Sequence, residues 1–224
     1  MTTDNPPFRS LPRDERRVRI VMAAKRVFLD HGLDASSMDD VAARAGTTKP
    51  TVYAHFKSKD ELFAAVVELI RGLFHGVLGT PAGYADEPVE AIALFCARFL
   101  ELMCWRDPVG YQRVALAAAA RSPELARSVH ATLHGEARAA LAAYLADRRL
   151  TPTPDRDADL LLAATTAGPI LRHLFGVDAP ADDRPAATDP VGARVDLDQI
   201  RATVRLVASR WGVTTPPGSG APSG

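Results

Sequence analysis

Ser37-Met38-Asp39-Asp40-Val41-Ala42-Ala43-Arg44-Ala45-Gly46-Thr47-Thr48-Lys49-Pro50-Thr51-Val52-Tyr53-Ala54-His55-Phe56 contains two helix starts and one tight turn within twenty residues. Ser37 and Asp40 have the spacing of a capping box, in which each side chain serves the other's backbone N–H. Gly46 supplies the left-handed residue that stops the helix. Between Ala45 and Thr47 there is room only for a tight turn. Thr48 then stands in a capping position, and Pro50 falls in the first turn, where a missing N–H costs little. Two short helices joined through a glycine turn make a helix-turn-helix.

The flanking sequence extends this unit. Upstream, a helix is predicted from about Arg13 to His31; its apolar residues Ile20, Val21, Ala24, Val27 and Phe28 recur at three and four, and Gly32 ends it. Downstream, Ser58-Lys59-Asp60-Glu61 opens a fourth helix with Leu62, Phe63, Val66, Val67 and Ile70 on its apolar side. Val52 and Phe56, one turn apart, are expected to face inward against Phe28, Val41 and Leu62. Residues 1–12, with Pro6, Pro7 and Pro12, read as a flexible arm, and residues 212–224 (GVTTPPGSGAPSG) as a disordered tail. Prolines 180, 185 and 190 mark 176–195 as a loop, and Thr80–Pro88 is a shorter break. The rest is rich in alanine and leucine, with no period-two alternation and no internal repeat. The predicted fold class is all-α, with a helix-turn-helix domain over residues 13–60 and a larger helical domain over 61–211.

The 224 residues carry 27 basic and 27 acidic side chains and are 47% hydrophobic, which excludes a disordered chain. The longest apolar run, Ala139 to Ala146, falls far short of the roughly twenty residues that span a bilayer. The N-terminus lacks the pattern of a secretory signal, and two cysteines eight apart, Cys96 and Cys104, are no disulfide framework. A soluble, cytoplasmic protein is expected, with no membrane partner. The zero net charge conceals an asymmetry. Phe8 to Phe28 holds seven basic residues against two acids, Val41 to Lys59 holds four and none, and Asp30, Asp34, Asp39 and Asp40 lie between. Two basic clusters that share a face suit phosphate, although a solvated helix face has the same composition.

The second helix of a helix-turn-helix enters the major groove with its first residues on base edges. Here it presents Thr47, Thr48, Lys49, Thr51 and His55, hydroxyls and a cation that read bases and hold phosphates. Tyr53 offers a phenol to a phosphate and a ring face to a thymine methyl. Lys57 and Lys59 flank the start of the fourth helix, and Ser36 and Ser37 the start of the second, where free N–H groups favour an anion. Arg44 completes the basic stretch.

Ile20-Val21-Met22-Ala23-Ala24-Lys25-Arg26-Val27-Phe28, Met38-Asp39-Asp40-Val41-Ala42 and Gly46 through Leu62 strongly resemble the DNA-binding domain of TetR-family repressors. Pro50 departs from the glycine or other small residue often found there, so no known operator sequence transfers. The stretch from Arg106-Asp107-Pro108 to Arg121-Ser122-Pro123-Glu124-Leu125-Ala126 is similar to the C-terminal domain of AefR-like members. The resemblance implies a C-terminal domain for dimerisation and ligand binding. Two helices suit a homodimer contact, at about 155–175 (Leu160, Leu161, Leu162, Ile170, Leu171 and Leu174 with small residues between) and 196–211 (Leu197, Ile200, Val204, Val207 and Trp211). The alternative is that these stripes pack within one protomer. A dimer places two readers about 34 Å apart, one turn of DNA.

A ligand pocket among the central helices is expected to draw on Phe74, Phe95, Phe99, Met103, Trp105, Tyr111 and Tyr144, with His130, His134 and Thr165 as polar handles; plain core is the competing use of such residues. His130 and His134, four apart, share a helix face and suit zinc by spacing, but neither a third ligand nor the H-E-x-x-H pattern accompanies them. Nucleophile-elbow, P-loop and dinucleotide-binding motifs are all absent, and neither a cofactor nor catalysis is expected. The reading is a homodimeric repressor released from a palindromic double-stranded DNA operator by a small, apolar effector. The alternatives are an effector-independent DNA-binding dimer and a helical metal-binding protein using the two histidines.

Overall fold

The computed structural model describes residues 8–211, which are helical apart from loops and a single bridge between Trp105 and Ala181. The first helices are α1 (Arg13–Ala35), α2 (Met38–Ala45), α3 (Lys49–His55) and α4 (Lys59–Leu78). After a 3-10 turn at Pro81–Gly83 come α5 (Pro88–Met103), α6 (Arg106–Ala118) and α7 (Pro123–His130), a π-helical turn at Ala131–Gly135, α8 (Glu136–Asp147), α9 (Pro154–Leu174) and α10 (Leu197–Ala208). The tail at 212–224 and the first seven residues of the expected arm lie outside the described residues. Phe8–Ser10, expected to be part of that arm, is a 3-10 turn with Phe8 buried. An aromatic ring beside a helical core is worth more buried than solvated.

The caps behave as their chemistry dictates. Asp40 N–H donates to Ser37 Oγ at 3.1 Å, and Ser37 N–H donates to Asp40 Oδ2 at 2.8 Å. Glu61 N–H donates to Ser58 Oγ at 3.1 Å, while the Glu61 carboxylate reaches back to Lys57 N–H at 2.7 Å. Gly46 takes φ 69°, closing α2, and Gly32 takes φ 76°, breaking α1 one turn before its last residues. The helices around this turn close on Ile20, Phe28, Val41, Val52, Phe56 and Leu62, each at most 1% exposed.

In the second bundle, α5 is the axis. From Val89 to Met103 only Glu90 and Leu94 escape burial, so the helix needs neighbours all round, and α4, α6, α9 and α10 supply them. That burial includes Arg98 and Glu101, an i,i+3 pair 3.1 Å apart. Arg98 donates to the Asp189 carbonyl at 2.5 Å, and Glu101 accepts from Gly192 N–H at 2.9 Å. The α9–α10 loop is thereby fastened to the centre of the bundle. Of the stripes expected to meet a second subunit, Leu161, Leu162, Ile170, Ile200, Val204 and Val207 are buried within the protomer, Leu160, Leu174, Leu197 and Trp211 are half-buried, and Leu171 is exposed. The buried ones cover α5, whose demand for apolar neighbours comes first. What α9 and α10 leave outside is Ala163, Ala164, Ala167 and Gly168 with Leu171, Phe175 and Leu206, of which Phe175 is 82% exposed.

Candidate nucleic-acid interface

The helix-turn-helix holds α3 outward by two residues. Val52 and Phe56 are fully buried, and the opposite side of the seven-residue helix faces solvent with Thr48, Lys49 and Tyr53. Thr51 is half-buried, and its hydroxyl lies 2.9 Å from that of Thr48. Thr48 occupies the N-cap position but forms no side-chain bond to the α3 backbone. The two hydroxyls instead pair with each other, one donating and the other accepting, which leaves one O–H for an outside acceptor and lone pairs on both oxygens for outside donors. Thr47 and His55 are half-buried at the two ends. Burial pushes His55 below its usual range, helped by the positive field of Arg13, Arg16 and Arg17.

Around α3, several of the expected phosphate contacts already have protein partners. Arg44 pairs with Asp30 at 2.5 Å and Lys49 with Asp39 at 2.7 Å, both exposed. Lys59 donates to the carbonyls of Ser36 at 3.0 Å and Asp34 at 3.2 Å, holding the start of α4 against the α1–α2 loop. Ser36 is buried and its hydroxyl donates to Leu33 O at 2.7 Å, while Ser37 is occupied by Asp40. Lys57 remains exposed. Carboxylates spaced ten and fourteen residues upstream provide the Lys49 and Arg44 partners, and only folding brings them close.

The residues expected to line a ligand pocket divide. Phe95, Phe99, Met103 and Tyr111 are at most 1% exposed in the packed core, and Trp105 and Tyr144 are buried beside it. Trp105 donates its indole N–H to Asp182 O at 3.1 Å, and Tyr111 donates its hydroxyl to Lys25 O at 3.1 Å. Phe74 borders a cavity of about 330 Å³ between α4 and α8, with Leu78, Leu133, Ala137 and Ala140 as walls and the Arg71–Glu136 pair at its edge. Thr165 reaches a smaller cavity of about 190 Å³ near α10, but its hydroxyl is spent on Leu161 O at 2.7 Å. His130 and His134 line a third, of about 120 Å³, on the other side of the π-helical turn. Their rings stack at 4.9 Å, and His134 faces the Gln112 side chain at 3.3 Å. Burial, reinforced by His130, holds the His134 pKa down at about 4. Among the described residues no third His, Cys, Asp or Glu joins them as a metal site.

Residues 20–66 match the family model for bacterial regulatory proteins of the tetR family, and residues 90–196 match that for the AefR-like transcriptional repressor C-terminal domain. The chain belongs to the TetR family. It is 53% identical over 58 residues to the transcriptional activator FasR of Mycolicibacterium smegmatis, covering 26% of each chain. It is 33% identical over 85 residues to the repressor BepR of Brucella suis, covering 38% of this chain and 34% of that one. The chain thus spans about a quarter to a third of the length of these relatives. A TetR-family regulator from Mesorhizobium loti superposes with a TM-score of 0.67 at 22% identity, over 90% of this chain and 97% of that chain. The flavonoid-responsive regulator FrrA superposes with a TM-score of 0.66 at 22% identity, over 88% and 95%. These two likenesses concern the fold.

One structural feature of this TetR-family chain is not visible in its composition. Lys25 of α1 is buried and pairs with Asp107 of α6, its ammonium 5.4 Å from the Trp105 ring centroid. A Cβ at Gly110 would collide with the end of the Leu29 side chain, so the α6 backbone at Gly110 packs directly against a side chain of α1. Arg121, just after α6, pairs with Asp34. The reader is therefore joined to the second bundle through α1–α6 as well as through α4. The signal was present: Lys25 lies on the apolar stripe, four residues after Val21 and three before Phe28, where a charge requires a buried partner.

Proposed function

We propose that this chain is a homodimeric DNA-binding transcriptional repressor whose operator is palindromic and whose release follows binding of a small, apolar molecule. The observation that carries the reading is α3: a short helix anchored by Val52 and Phe56, with its hydroxyls, Lys49 and Tyr53 turned to solvent. Hydrogen-bonding side chains on an outward helix fit the major groove, whose base edges display donors and acceptors. One such helix specifies too few bases, and the uncovered small-residue face of α9 and α10 is suited to bring a second copy. The cavity beneath α4 has the volume and apolar lining of a small-molecule site. Because α4 begins four residues after the end of α3, a ligand that displaces it also moves the reader. No helix of the described residues is long and apolar enough to cross a membrane.

The test is a fluorescence titration of the purified protein on DNA from upstream of its own gene and on a scrambled duplex. The expected result is preferential binding of the upstream DNA, with an affinity that falls steeply as salt rises. Equal, salt-insensitive affinities for the two would refute the reading. Tyr53→Ala should weaken specific binding and leave the melting temperature unchanged, since its ring contributes little to the core at 45% exposure.

A further inference from the structure

We propose that Arg9, Arg13 and Arg17, held beside α3 by the buried Phe8 turn, grip DNA backbone phosphates next to the bases that α3 faces. The inference rests on the DNA-binding reading and extends it to a second element. Its starting point is the accounting of cations above: Arg44, Lys49 and Lys59 are engaged within the protein, which leaves Lys57 among the expected phosphate contacts. The N-terminal rim of α1 fills the gap. Arg9, Arg13 and Arg17 are exposed, and among the described residues no carboxylate pairs with them.

Helical geometry gathers these charges. Arg13, Arg16 and Arg17 stand at i, i+3 and i+4, on the same side as the fully buried Ile20, which faces the core of the reader. Glu15 is rotated by about 200° from Arg13, and Asp14, three residues before Arg17, forms no ion pair with it among the described residues. Arg16 serves the scaffold, donating to Leu11 O and Arg9 O at 2.7 Å each, and so fastens the Phe8–Ser10 turn to α1. Arg19 lies over the Phe8 ring at 5.9 Å, and Phe8 is 5% exposed, which pins the turn from the other side.

This rim meets both ends of α3. A cleft of about 390 Å³ lies between Phe8, Arg9 and Arg16 on one side and Thr47, Thr48 and Thr51 on the other. At the far end, the Arg17 guanidinium sits 4.9 Å from the centroid of Phe56, the residue that closes α3. Arg13, Arg16 and Arg17 also add to the lowering of His55 that burial begins, so the same positive field reaches the end of α3. A duplex seated on Thr48 and Thr51 brings its backbone against this field, and guanidinium forks match phosphate oxygens.

The test compares the salt dependence of DNA binding by wild type and by Arg9→Ala/Arg13→Ala, on upstream and on scrambled duplex. Each phosphate contact contributes about 0.9 to the slope of log affinity against log salt, so the double variant should lose about 2. The weakening should be the same factor on both duplexes, because phosphates carry no sequence. Phe8→Ala should lower the slope in the same direction with every arginine still present. An unchanged slope in the double variant, while Lys57→Ala lowers it, overturns the grip and leaves α3 as reader. Loss confined to the upstream duplex overturns it too, since it would mean base contacts. Absence of salt-dependent binding in wild type overturns the DNA-binding reading itself.

Discussion

Lys25 and Asp107 show what a single buried charge demands. Each side chain is under a tenth exposed, and either one alone would be an ion without solvent. Asp107→Ala is expected to cost about 3–5 kcal/mol in urea unfolding, because it strands the ammonium. Arg44→Ala, which breaks the exposed pair with Asp30, should cost less than about 1 kcal/mol. Equal shifts for the two variants would remove the special status of the α1–α6 pair. His134 yields a second prediction at this scale. Its folded pKa of about 4 lies below the usual histidine value, so the unfolded chain binds a proton that the folded chain refuses. Stability should therefore be full above about pH 6.5 and decline as pH falls towards 4. His134→Phe should flatten that part of the profile; an unaltered pH dependence would show that other groups set it.

The elements differ in how openly the sequence announces them. The starts of α2 and α4 were legible because capping is local: Ser37 with Asp40, and Ser58 with Glu61, act within one turn. Gly32 and Gly46 were legible for the same reason. The π-helical turn at 131–135 carries no comparable signal, and it splits the histidine pair's cavity from the one beneath α4. Cavity and core also draw on the same side chains. Phe74 and Phe99 look alike in sequence, yet one lines a void and the other is sealed. The inward turn of part of the α9 and α10 stripes has a similar origin, since periodicity reveals an apolar face but not what covers it. The face left over makes the prediction here. Phe175→Glu with Leu206→Glu should convert a dimer to a monomer in analytical ultracentrifugation while helicity is retained. A dimer that survives both charges would place the contact elsewhere.

At the level of the molecule, the reader and the second bundle are linked twice. The path through α4 carries the wall of the cavity between α4 and α8, and the path through α6 carries the buried Lys25–Asp107 pair and the close packing of Gly110 on Leu29. A ligand acts on DNA affinity only as far as it binds two arrangements of these helices differently, commonly 1–3 kcal/mol. Gly110→Val, which overpacks the contact with the Leu29 side chain so that either that side chain or α6 must shift, is expected to destabilise the fold by about 1–3 kcal/mol. The variant should also change DNA affinity with α3 untouched, and unaltered affinity in a folded variant would remove α1–α6 from the coupling route. All of this depends on α3 lying in the major groove. Dimethyl sulfate probing of guanine N7, which faces that groove, tests it most directly on the upstream DNA. The account predicts two protected clusters about one helical turn apart, both lost in Tyr53→Ala/Lys49→Ala. Bound DNA whose guanines remain fully reactive would contradict it.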